Sequence, residues 1–138
     1  MTAQEFWENF KKIFTEDKEG KAIKCWLSSK KYTEFIMGAI DTFLKKDFAT
    51  SREYFRIDLT AWIQLKKDEY YLLQGKNFEK YLWDLEVAVE HENNDKSWMD
   101  ELVKIMHINC PLRVVIGYLP IEEDKNLYLS ELNTEIQK

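Results

Sequence analysis

Between Leu85 and Glu92 the side chains alternate without a break, with Leu85, Val87, Val89 and His91 on one side and Glu86, Ala88, Glu90 and Glu92 on the other. A period of two belongs to a β-strand. Asn93, Asn94 and Asp95 then supply a turn and an N-cap, and Trp98, Leu102, Ile105 and Met106 recur at helical spacing until Asn109 and Pro111 stop the helix. Leu112 to Leu119 follows as a nearly unbroken apolar run, the pattern of a strand covered on both faces. Strand, helix, strand in so short a span is a βαβ unit, which demands a parallel pair and a right-handed crossover. The rest of the chain must therefore extend this pair into a sheet and cover its second face.

The N-terminal half has the elements to do so. Thr2-Ala3-Gln4-Glu5 is a capping box, and Phe6, Phe10, Ile13 and Phe14 continue it as an amphipathic helix ending near Glu16 to Gly20. Ala22 to Leu27 reads as a further helical turn. From Lys31 to about Lys46 the rows Phe35, Ala39, Phe43 and Ile36, Ile40, Leu44 lie side by side, a wide apolar face suited to a sheet. Tyr54 to Ile63 reads as one strand, with Phe55, Ile57 and Leu59 alternating with Arg56, Asp58 and Thr60. Lys66 to Tyr81, holding Gly75, reads as a hairpin arm or an irregular insertion. Leu129, Leu132 and Ile136 close the chain as a C-terminal amphipathic helix. The order implies an α/β sandwich around a small mixed sheet, with extra helices at both ends.

Composition narrows the class. With 138 residues, 45% hydrophobic, four Gly and two Pro, the chain reads as a single domain over residues 1–138 without a linker or repeat. No run approaches the ~20 apolar residues a bilayer span needs, so no membrane partner is expected. The start, Met1 to Phe6, has neither a basic leader nor an apolar core, and Cys25 and Cys110 form no CxxC pair. The expectation is an unexported, cytoplasmic protein. A net charge of -5 argues against a globally basic surface for nucleic acid, leaving a local patch or a metal bridge.

Asp58, Glu90 and Glu92 carry the chemistry. Each stands in an otherwise apolar strand, and Glu90 and Glu92 share a face. Carboxylates this close repel, and when half-buried one of them must hold a proton unless a cation neutralises the group. Magnesium, or manganese in its place, suits such a set because it takes one or two protein carboxylates and keeps several waters. Water bound to it becomes a nucleophile able to attack a phosphodiester.

Arg56-Ile57-Asp58-Leu59-Thr60, then Leu85-Glu86-Val87-Ala88-Val89-Glu90-His91-Glu92-Asn93, then Trp98-Met99-Asp100-Glu101-Leu102 together resemble the restriction-endonuclease-like PD-(D/E)xK nuclease superfamily. The resemblance covers roughly Lys31 to Leu119 and implies an αβββαβ core. It implies that Asp58 and Glu90 hold the metal and that the backbone carbonyl of His91 is a further ligand. Ile57 replaces the motif proline, and Glu92 stands where the motif has lysine, as a metal ligand or base. Lys104, on the following helix, is the candidate for a migrated lysine, and Glu101, one turn before it, for an added ligand. The implied activity is metal-dependent phosphodiester hydrolysis. The alternative is an inactive relative serving as a nucleic-acid-binding or protein-assembly module, as a homodimer or beside a partner subunit.

Blander readings stand beside these. Glu86, Glu90 and Glu92 fit a solvated sheet face, and Asp58 could pair with Arg56 two residues away. His91 lies on the apolar side, where a histidine is more often bonded to a neighbour. Lys45, Lys46 and Arg52 would form a phosphate-gripping rim, and Trp62, Tyr70, Tyr71 and Trp83 would stack on unpaired bases. Core packing is the commoner use of such aromatics.

Overall fold

The computed structural model describes residues 1–54, 56–63, 85–93 and 98–118. Helix α1 (Ala3–Thr15) starts at the capping box: Thr2 accepts from the Glu5 N–H while the Glu5 carboxylate accepts from the Thr2 N–H. Helix α2 (Lys21–Trp26) is short, and α3 (Ser29–Leu44) is capped by the Ser28 hydroxyl. Strands β1 (Ala49–Tyr54) and β2 (Ile57–Trp62) precede β3 (Leu85–Glu92), helix α4 (Trp98–Met106) and β4 (Leu112–Gly117). Among the described residues the order from α3 onwards is αβββαβ. Among the described residues no helix is long and apolar enough to cross a membrane.

The four strands form one mixed sheet in the order β1-β2-β3-β4, antiparallel except for the parallel pair β3 and β4. That parallel pair, with α4 between its strands in sequence, is the unit read from residues 85 to 119. One face of the sheet packs on α3, where Ile36, Met37, Ile40 and Leu44 meet Leu59, Ala61, Val87, Val89 and Leu112. Each fully buried large aliphatic side chain here contributes roughly 1.5–3 kcal/mol. Phe6 joins α1 to the same cluster. The opposite face carries a smaller cluster under α4, made of Ile57, Ala88, Ile105 and Cys110. Asn93 fastens the end of β3 to the first turn of α3, donating to the Ser29 carbonyl at 3.3 Å, the Ser29 hydroxyl at 3.0 Å and the Thr33 hydroxyl at 2.5 Å.

Two expectations change. Tyr54 to Ile63 is not one strand: the chain reverses between Tyr54 and Ile57, which face each other across a hairpin. Arg56 takes the left-handed conformation (φ 63°), as does Glu53 (φ 54°). The edge strand β1 carries polar residues and gives no alternation to read. Strand β4 is covered less completely than its apolar sequence implies. Among the described strands it lies at the sheet edge, with Leu112 buried but Arg113 and Gly117 exposed. The stretch Lys66 to Tyr81, the cap residues Asn94 and Asp95, Leu119, and the C-terminal helix around Leu129, Leu132 and Ile136 lie outside the described residues.

Candidate metal centre

Register brings the first two acids together. Leu59 faces Val89 and Thr60 faces Ala88, so Asp58 falls opposite Glu90 on the same face of the sheet. Such cross-strand neighbours have their Cβ atoms about 4.5–5.5 Å apart. Asp58 is half-buried, and its Oδ2 accepts the His91 backbone N–H at 2.8 Å. Glu90 is 1% exposed. The solvated-face reading therefore fails for Glu90, because α4 lies over it.

Helix α4 delivers the balancing charge. Glu101 and Lys104 sit one turn apart on it, and the Lys104 ammonium contacts both Glu101 Oε2 and Glu90 Oε1, the latter at 2.9 Å. The same nitrogen donates to the Arg56 carbonyl at 2.9 Å. A residue other than glycine in the left-handed region costs on the order of 1 kcal/mol, and here that conformation belongs to the turn whose carbonyl holds the lysine. Glu90 Oε1 and Glu101 Oε2 are both buried, and neither makes a directional hydrogen bond, so the ammonium holds them by charge.

Burial pushes the Glu90 carboxyl up to about 7, with the Lys104 ammonium pulling it down and the Asp58 and Glu101 charges pushing it further up. Burial works to lower the Lys104 ammonium, but the Glu101 and Glu90 carboxylates outweigh it and leave it above its ordinary value. The site is thus a desolvated carboxylate group whose repulsion is relieved by one cationic side chain.

The structure brings Asp58, Glu90, Glu101 and Lys104 into one neighbourhood. Glu92 is half-buried on the same face of β3, roughly 6.5 Å further along the strand, and pairs in register with Gly117 of β4. Among the described residues no three of His, Cys, Asp and Glu converge closely enough to hold a metal ion. The geometry explains this: Asp58 turns one oxygen to a backbone N–H, and the Lys104 ammonium bridges Glu90 and Glu101. No ion pair joins Asp58 and Arg56 among the described residues. Arg56 enters the site through its carbonyl instead, and nothing in its side chain announces that role.

The surrounding basic residues divide. Lys45 is paired with Asp41 at 2.6 Å. Arg52 is exposed, and its Nε donates to the Asp58 carbonyl at 3.3 Å. Trp62 is half-buried, whereas Tyr70, Tyr71 and Trp83 lie outside the described residues.

The His91 side chain projects to the other face of β3. Its Nε2 lies 2.9 Å from the Tyr118 hydroxyl, within an aromatic group that includes Tyr32 and Trp26. Burial holds the imidazole below its ordinary pKa, against the upward pull of Asp58. Burial likewise raises the Tyr118 phenol, with Tyr32 adding to it. The bonded-to-a-neighbour reading of the His91 ring holds. Comparison of the chain with models of protein families, with curated proteins and with solved structures finds no match.

Proposed function

We propose that the chain is a metal-dependent nuclease of the restriction-endonuclease-like type, with Asp58 and Glu90 as the principal ligands of magnesium or manganese. The observation that carries this reading is the fully buried Glu90 beside Asp58, on adjacent central strands at one sheet face. A carboxylate is rarely taken so far from water unless a cation or a proton transfer calls for it. The donor chemistry fits a hard divalent ion, since Asp58, Glu90 and Glu101 offer only oxygens and the partner Glu90 Oε1 would give up is the ammonium of Lys104. A residue's N–H and C=O leave an extended strand on the same side, so the His91 carbonyl shares the edge where Asp58 takes the His91 N–H. The His91 carbonyl and Glu101 are the nearest further donors, and Glu92 a more distant one along β3.

When bound, the ion supplies an acidified water and a positive charge for the phosphate. The chain's own residues do the rest. The His91 N–H orients Asp58, the sheet and α4 keep Glu90 dry, and Lys104 brings a cation that can stabilise charge on the phosphate. Arg52, exposed beside Asp58, suits contact with the nucleic-acid backbone. With a net charge of -5, binding to nucleic acid without metal is expected to be weak at physiological salt. The test is cleavage of labelled DNA and RNA with magnesium or manganese by the wild type, Asp58→Ala and Glu90→Ala. Cleavage that survives both substitutions would sink the mechanism.

One observation favours a second reading. The Lys104 bridge already neutralises Glu90 and Glu101, as in a relative that has kept the fold for nucleic-acid binding or protein assembly. Metal-supported cleavage by the wild type decides against it.

A further inference from the structure

We infer that Lys104 is a built-in counter-cation that competes with the divalent ion for Glu90, so that metal binding at Asp58 and Glu90, with Glu101 as a further donor, requires the ammonium to withdraw. The inference rests on the metal-centre reading above and adds a competition that governs how readily the site loads.

Three oxygens from three separate parts of the fold converge on one nitrogen: Glu90 Oε1 from β3, Glu101 Oε2 from α4, and the Arg56 carbonyl from the turn between β1 and β2. That arrangement is a coordination shell with an ammonium at its centre. Only the carbonyl contact is a directional hydrogen bond, so both carboxylate oxygens keep lone pairs that a smaller, doubly charged ion would use better. The two partners also differ in freedom. The Glu90 side chain is 1% exposed and fixed in the middle of a central strand, whereas Lys104 is 34% exposed at the end of a flexible stem. Its ammonium can swing into water, where it is strongly hydrated, without any movement of α4. Glu90 has no such route.

In the proposed reaction the exchange has a use. The released ammonium stays tethered about one side-chain length from the site, where an incoming phosphate can take it as a partner. Until metal and phosphate arrive, the acidic group remains neutralised and the sheet is spared the repulsion of Asp58, Glu90 and Glu101.

The test is manganese binding by calorimetry to the full chain as wild type, Lys104→Met and Lys104→Arg, with folding checked by circular dichroism. If nine molecules in ten hold Lys104 in place, its removal tightens binding by about tenfold. Lys104→Arg, which keeps a cation there, is expected to bind as the wild type does. Equal or weaker binding by Lys104→Met, with measurable binding by the wild type, overturns the competition and leaves the metal centre standing. No manganese binding by any of the three overturns both. If Lys104→Met does not fold, the lysine ammonium signals of the wild type give the same decision by nitrogen-15 NMR. Added magnesium should shift or broaden the Lys104 signal, identified by its loss in Lys104→Arg. A Lys104 signal that stays fixed while the backbone signals of Asp58 and Glu90 move overturns the inference.

Discussion

Glu90 and His91 are neighbours in one strand, both buried, and their side chains leave it on opposite faces. On the α3 side the imidazole meets neutral partners, the Tyr118 hydroxyl at Nε2 and the rings of Tyr118 and Tyr32, while its Nδ1 is buried without a hydrogen bond. On the α4 side it is held among charges, Lys104 against Glu90 and Glu101 with Asp58 alongside. Burial drives both groups towards neutrality, raising the acid and lowering the base. The contrast teaches that burial alone does not mark a site. What separates the two faces is whether the buried group's partners could be exchanged for a ligand of the same charge as the one it already has.

The largest expected effect lies on the α3 side. Leu59→Ala should cost about 2–5 kcal/mol in urea unfolding, since Leu59 is fully buried in the main cluster, while manganese affinity of the folded protein stays unchanged. A loss of affinity as large as the loss of stability would erase the distinction between the faces.

Next comes the pH dependence of stability, where the two residues pull in opposite directions. Glu90 has a carboxyl near 7 when folded against an ordinary value of 4.5, so folding takes up a proton between these values. Stability from this group is therefore present at low pH and lost as pH rises from about 4.5 to about 7, by up to about 3 kcal/mol. The imidazole of His91 is held below its ordinary 6.5, so its contribution is present above that value and lost as pH falls below it. Thermal melts across this range should show Glu90→Gln flattening the loss on the rising side. An unchanged profile in that variant would assign the slope to other groups.

Asp58→Asn keeps the shape of the side chain and a carbonyl oxygen for the His91 N–H but removes the charge. Metal-dependent cleavage should fall by about a hundredfold or more, since even supporting partners of metal ligands are worth 10–100-fold. Melting temperature, by comparison, should barely move. The smallest effect is expected for His91→Phe, which loses the bond to Tyr118 at a cost of about 1 kcal/mol. It should leave cleavage intact, and a loss of cleavage would mean that the two faces communicate through β3.

Much of this was legible beforehand, for particular reasons. Strand β3 could be read because a strand with one apolar and one charged side shows its period directly, and α4 because Trp98, Leu102 and Ile105 share a stripe. The hairpin at Arg56 could not be read: Phe55-Arg56 has none of the usual turn residues, and pairing of β1 with β2 holds Arg56 in the left-handed region. The acids were visible as letters, but their burial was not, since an alternating strand looks the same whether its charged side meets water or a helix. Lys104 could be suspected only from its place on the helix after the second motif, because its contacts with Glu90 and Arg56 bridge distant parts of the chain.

Gly117 has a mechanical role in this arrangement. A methyl group there would lie 3.2 Å from the Trp98 Cβ, so the first residue of α4 rests in a notch that exists because position 117 has no side chain. Lys104 lies six residues further on, ~9 Å along the same rigid rod. Filling the notch would require Trp98, at the start of that rod, to give by a few tenths of an ångström. The seat of the helix that carries the ammonium is thus shaped by a residue that contributes no atom to the acidic group.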